Sequence, residues 1–241
     1  MPISRRALLR AGASTGLLAA LAACGDGGVF SSASNKNGNT ATTNTTANNG
    51  TMPTRVGALP ADLSRTKFGM IGDSIAKASS RSLTSVLEQQ GFTEITIEAA
   101  VSRRITFGDG KGEPLSGVRT LYTMIAEGIA PDVWAIAMGT NDVGKYDDAN
   151  AYAALIDQML SMPDGEVPII WVDVYNPKQL KGTKEFNLVL RERADARGNT
   201  TVLSWFDLAS DPNGKLLRTD RIHPNEKGAL VFADLVSAAL V

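Results

Sequence analysis

The sequence predicts an α/β fold, a three-layer α/β/α sandwich around a central, mainly parallel five-stranded sheet. Three observations predict it. From about residue 62 to residue 241, short strand-like runs alternate with helix-like runs. Several of the strands are apolar at consecutive positions, as strands buried on both faces are. Right-handed crossovers between parallel strands then place helices on both sides of the sheet.

The elements follow in order. "TKFGMI" (66–71) is a short apolar strand. "IAKASSRSLTSVLEQQ" (75–90) has helical spacing and is stopped by Gly91. "TEITIEAAV" (93–101) alternates as a strand does, and "PLSGVRTLYTMIAEGI" (114–129) reads as a helix. "DVWAIAMG" (132–139) is a buried strand, followed by the helical "ANAYAALIDQML" (149–160). "VPIIWVDVY" (167–175) is a strand and "TKEFNLVLRERADA" (183–196) an amphipathic helix. "TTVLSWFD" (200–207) is the fifth strand, and "NEKGALVFADLVSAAL" (225–240) the closing helix. Trp134, Trp171 and Trp205 fall in predicted strands and read as core side chains ahead of a sugar-stacking platform.

Composition narrows the function classes. The chain carries a net charge of −1, and its first 23 residues hold three arginines and no acid, which leaves −4 for the remainder. A mildly acidic body argues against nucleic acid as a partner. The single Cys and single His exclude an internal disulfide, a multi-Cys zinc site and a His-rich metal site. No cofactor or metal is expected. Any imidazole chemistry runs through His223.

The N-terminus reads as an address. Arg5, Arg6 and Arg10 precede an apolar or small run, Ala11–Ala23. As a helix that run is about 20 Å long, too short for a ~30 Å hydrocarbon core. Residues 1–23 are therefore expected to be a signal peptide. "SRRALLR" (4–10) resembles a twin-arginine export motif, and "LAAC" (21–24) resembles a bacterial lipobox. Cys24 ends the apolar run and precedes a polar tract, which favours lipidation over burial as a small hydrophobe. Residues 24–61 are rich in Ser, Asn, Thr and Gly and read as the lipidated Cys plus a flexible tether. The expectation is a monomer in the cell envelope, held to the membrane on its extracytoplasmic side by the lipid on Cys24. Residues 62–241 form the folded domain.

In open parallel sheets, ligands bind beyond the carboxyl ends of the strands. Four polar stretches fall there: Gly72-Asp73-Ser74 after the first strand, Ser102-Arg103-Arg104 after the second, "GTND" (139–142) after the third, and "DRIHP" (220–224) before the last helix. Ser74 admits two compatible roles, a helix N-cap or a nucleophile on a sharp strand-to-helix turn.

In their order and spacing these stretches, over about residues 65–241, resemble the SGNH, or GDSL-like, hydrolase family. The resemblance implies the same α/β/α fold and a Ser-His-Asp triad: Ser74 as nucleophile, His223 as base and Asp220 as the group that orients the imidazole. It implies an oxyanion hole from the Ser74 N–H, a backbone N–H at Ser102 and the Asn141 side chain. The family usually has Gly where this chain has Ser102 and Arg221. Ser102 keeps the N–H but adds a Cβ that would narrow the acyl pocket. Gly72 is expected to permit the sharp turn. Gly139 supports its loop, and Asp73 and Asp142 brace theirs by hydrogen bonds. Arg103 and Arg221 are either contacts to an anionic or sugar substrate or solvated charges.

The expected function is that of a serine esterase acting on O-acyl, above all O-acetyl, esters of envelope glycans. A general short-chain ester or thioester hydrolase and a glycan O-acetyltransferase are alternatives of the same class. A binding lipoprotein without catalysis is the alternative of a different class.

Overall fold

The computed structural model describes residues 55–56 and 66–240. The expected signal peptide and Cys24 lie outside the described residues. No helix among the described residues is long and apolar enough to cross a membrane.

The elements are β1 (Arg55–Val56), β2 (Lys67–Gly72), α1 (Ser74–Gln89), β3 (Glu94–Ala99), α2 (Gly117–Ala126), β4 (Val133–Ala137), α3 (Ala149–Leu160), β5 (Ile169–Val172), α4 (Leu180–Arg197), β6 (Thr200–Leu203), α5 (Trp205–Ser210) and α6 (Glu226–Ser237). The sheet runs β1-β6-β5-β4-β2-β3. Strands β2 to β6 are mutually parallel, as the unbroken apolar runs require.

Side-chain alternation along the strands divides the core in two. Val133, Ala135 and Ala137 of β4 face a layer built with Leu83 and Leu87 of α1 and Phe232 and Val236 of α6. Trp134 and Ile136 face the opposite layer, built with Leu121 of α2, Ile156 of α3 and Phe186 and Leu190 of α4. Both faces are dry, which is why β4 and β5 carry no polar position. All three tryptophans are core, at 3% or less exposed.

Two expectations change. Arg55 and Val56 fall in the stretch expected to be a tether, yet they pair antiparallel with Leu203 and Val202 and make a sixth strand. Pairing of this kind uses backbone groups to cover an open sheet edge, so side-chain composition does not announce it. The predicted strand 200–207 also stops at Leu203, and Trp205 begins a helix. Ser204 caps that helix by accepting from the Asp207 N–H at 3.3 Å, and the buried Asp173 carboxylate accepts from the Phe206 N–H at 2.7 Å. The Ser-x-x-Asp spacing of residues 204–207 is the signal that marks this helix start.

Candidate active site

The strand order reverses between β2 and β4, the neighbours at the centre of the parallel sheet. Ser74 follows β2 and Asn141 follows β4, so both stand at the switch point, where ligands of such sheets bind.

Asp73, not Ser74, is the cap of α1. Its Oδ1 accepts from the Ile75 N–H at 2.8 Å, and Ser74 occupies the first helical position. That leaves the Ser74 hydroxyl free for another partner. Gly72 has no left-handed φ; it is glycine because a Cβ there would collide with the Ala76 Cβ on the first turn of α1. Close approach of helix to strand, and not a turn conformation, requires it.

The Ser74 Oγ lies 2.9 Å from His223 Nε2, and His223 Nδ1 lies 2.7 Å from Asp220 Oδ2. Asp220 Oδ1 accepts from the backbone N–H groups of Ile222 at 2.9 Å and His223 at 3.0 Å. Desolvation acts to raise the Asp220 carboxyl, but those two N–H groups and the imidazole outweigh it and hold it at about 2. An ionised carboxylate only accepts, so Nδ1 carries the proton and Nε2 is left to accept from the Ser74 hydroxyl. Ser74 itself is largely buried, at 7% exposed. This arrangement can take the hydroxyl proton as a bond to carbon forms.

The loops after β3 and β4 are bonded to each other and make a second wall at this end of the sheet. Asn141 Nδ2 donates to the Arg103 carbonyl at 3.1 Å, which engages one of its two N–H bonds. Gly139 has φ 122°, and a Cβ there would meet the Phe186 ring. Asp142 is fully buried and accepts from the Ile105 N–H at 3.1 Å, with Arg104 Nε at 3.4 Å. Burial raises its carboxyl to about 7 against those two partners. Burial likewise raises Asp73 to about 6.

Ser102 sits at φ 62° and Arg221 also at φ 62°. The positions where glycine was the expected residue are thus left-handed ones, which glycine occupies without the roughly 1–2 kcal/mol an L-residue meets there. Lys215, at φ 50°, is the third such residue among those described.

Arg103 is not placed to meet a substrate. It is 5% exposed, and its guanidinium donates to the carbonyls of Leu115, Gly72 and Glu98 at 3.1, 3.2 and 2.7 Å. It ties the ends of β2 and β3 to the loop before α2. Arg221, by contrast, is exposed. Two features had no reading in the sequence. Asp173, at the end of β5, is buried with Arg191 at 2.8 Å and the Ser204 hydroxyl at 3.2 Å. An acid inside an apolar strand was the available signal. Arg104 donates to the Tyr146 hydroxyl at 3.2 Å and lies 5.0 Å from the Phe107 ring centre; nothing in their spacing pairs them.

Fold and site together define an enzyme of the α/β/α ester-hydrolase class. The chain belongs to the GDSL-like lipase/acylhydrolase family, whose model matches residues 70–231. No curated protein matches it by sequence. Among solved structures it is similar to the C-terminal catalytic domain of Streptococcus pneumoniae peptidoglycan O-acetyltransferase A, at 19% identity and TM-score 0.58, covering 73% of this chain and 92% of that one. It is also similar to a Clostridium thermocellum family 3 carbohydrate esterase, at 19% identity and TM-score 0.52, covering 72% and 94%. An M. smegmatis aryl esterase shares 16% identity at TM-score 0.53, covering 72% and 100%. At such identities the likeness is one of fold.

Proposed function

We propose that this enzyme is a serine esterase that removes O-acyl groups, above all O-acetyl, from glycans of the cell envelope, with Ser74, His223 and Asp220 as its triad. The observation that carries the reading is the unbroken contact from Ser74 Oγ through the His223 ring to Asp220, at 2.9 and 2.7 Å.

In this mechanism His223 Nε2 takes the Ser74 proton while Oγ bonds to the acyl carbon. The carbonyl π pair moves onto oxygen. The Ser74 N–H, the Ser102 N–H and the remaining Asn141 N–H are the donors for that oxyanion. Collapse breaks the bond to the alcohol oxygen, which takes the proton from Nε2 and leaves an acyl ester on Ser74. A water molecule then gives a proton to His223, attacks the acyl carbon and releases the acid, restoring the hydroxyl. A sugar hydroxyl in place of that water would make the same site a transferase. The Ser102 Cβ beside the donors favours small acyl groups. The motifs before residue 25 support export and lipid attachment at Cys24, which would place the enzyme at the glycans it serves.

The test treats the full chain with p-nitrophenyl acetate, with a fluorophosphonate, and with O-acetylated glycan fragments read by mass. Turnover, a covalent label on the Ser74 peptide and loss of acetyl are expected. Binding of the fragments with neither turnover nor label would overturn the esterase reading in favour of a binding protein. Turnover of the aryl ester with intact glycan acetyls would overturn the glycan assignment alone.

A further inference from the structure

Beside the His223 turn lies a second feature, a cavity of about 300 Å³. Tyr175, Leu216 and Leu217 give it an apolar floor, and Lys215, Arg218 and Arg221 are the cations that line it. Tyr175 follows β5 and is held edge-on to Phe206 at 5.6 Å between ring centres. The cavity is tied to the site: the Arg218 N–H donates to the His223 carbonyl at 2.8 Å, and the Arg221 N–H donates to the Arg218 carbonyl at 2.9 Å.

Three observations point to an anion there. None of the three cations takes part in an ion pair among the described residues. The acid on the wall, Asp211, is turned to the Asn213 N–H at 2.9 Å. And two of the three non-glycine residues with left-handed φ, Lys215 and Arg221, are both cations and both line this cavity. Strained backbone held by its surroundings is a mark of functional positions, and here it falls on the charges.

Chemistry says which part of an ester would lie here. The carbonyl oxygen must face the donors after β3 and β4. The leaving alcohol oxygen must lie within reach of His223 Nε2, which returns its proton. The alcohol side borders the His223 turn, and this cavity shares Arg221 with that turn. We propose that this cavity is a leaving-group subsite that selects esters whose alcohol is a ring bearing a carboxylate, with Arg221 and Lys215 as the specificity-determining residues. This rests on the esterase reading above.

The test compares kcat/KM of the full chain for 4-acetoxybenzoate and for phenyl acetate, which share the acyl group and differ by a carboxylate on the leaving group. Arg221→Gly and Lys215→Gly suit the native φ and so keep the fold while removing charge. Each should lower the ratio of charged to neutral ester about fivefold, and the double variant about 25-fold, if the charges act independently. Arg221→Lys should keep most of the preference, and added salt should erode it. An unchanged ratio in the double variant would overturn the proposal. A second arm measures binding of 4-hydroxybenzoate and phenol by calorimetry. If the wild-type chain turns over neither ester, 4-hydroxybenzoate binding that weakens in Arg221→Gly keeps the anion cavity and sinks the esterase reading. Equal binding of both phenols would overturn the cavity.

Discussion

Two turns at the carboxyl end of the sheet use the same device with opposite results. In the 220–223 turn, Asp220 accepts two backbone N–H groups and faces an imidazole. In the 139–142 turn, Asp142 accepts the Ile105 N–H and faces the Arg104 guanidinium. Yet Asp220 is held at about 2, while Asp142 is raised to about 7. The difference is water. The Asp220 side chain is 40% exposed, and that of Asp142 is fully buried. At Asp220 two backbone N–H groups and the imidazole together outweigh desolvation, and at the sealed Asp142 one N–H and the guanidinium do not. The acid that faces the imidazole is left partly wet, and the one that fastens a loop is sealed in.

The largest effects should come from the wet turn. Asp220→Asn should lower kcat on the order of 10⁴, because an amide no longer fixes the tautomer that leaves Nε2 free. Ser74→Ala and His223→Ala should each nearly abolish turnover, with the double variant hardly worse, since such residues act as a unit. The melting temperature of Ser74→Ala should stay near wild type, Asp73 being the cap of α1. Full turnover in Ser74→Ala would break the assignment of this turn to chemistry.

The second wall should give the next effect. Asn141→Ala should lower kcat by roughly 10²–10³ and change KM less, as loss of one oxyanion donor does. The variant also frees the Arg103 carbonyl, so hydrogen exchange of residues 102–105 is the companion measurement. A change confined to KM would move Asn141 from transition-state to ground-state binding.

What the sequence made legible about this comparison depends on the range of the interactions. The four rim stretches were readable because strand ends and polar residues coincide locally. Elements with both apolar faces filled, such as β4, were readable for the same reason. Partners far apart in sequence were not. The Arg103 guanidinium spends itself on carbonyls at residues 72, 98 and 115, so a charge that looked available is a strut. The Arg55–Val56 pairing uses backbone alone. The cap of α1 was misread by one residue because Asp73 and Ser74 are both good capping types. The left-handed φ at residues 102 and 221 is a backbone property that a serine and an arginine do not advertise.

The sealed turn should show itself in the pH dependence of stability. Asp142, Asp73 and Asp173 all have folded-state values raised by burial, to about 7, 6 and 6. A carboxyl raised in the folded state binds more protons there than when unfolded. Its contribution is therefore present in acid and is lost as pH rises from about 4 through the folded value. Asp220 has the reverse sign: its contribution is present above about 4 and lost as pH falls toward 2. Asp142→Asn should shrink the fall in unfolding free energy between pH 5 and pH 8 by on the order of 1–3 kcal/mol, read from urea titrations. An unaltered slope would mean that Asp142 is hydrated in solution, and the contrast with Asp220 would disappear.

The smallest effect concerns what the two sides share. The 220–223 turn carries a non-glycine residue at φ 62°, Arg221, and the loop after β3 that is bonded to the 139–142 turn carries another, Ser102. A Cβ in that conformation is crowded by its own carbonyl, at roughly 1–2 kcal/mol, and glycine returns part of that gain through its larger unfolded-state entropy, roughly 0.5–1 kcal/mol. Ser102→Gly and Arg221→Gly should therefore each stabilise the fold by about 0.5–1 kcal/mol, a rise of roughly 1–4 °C in Tm for a domain of this size. Their functional effects should part company. Ser102→Gly keeps the N–H and removes the Cβ beside the acyl carbon, so longer acyl chains should be turned over better relative to acetate. Arg221→Gly removes a charge from the alcohol side and should leave acyl-chain preference as it is. If both variants gain stability and only Ser102→Gly shifts chain length, the two strained residues divide the ester between them, acyl group on one side of Ser74 and alcohol on the other. A shift of chain length in both would mean that they border one undivided pocket.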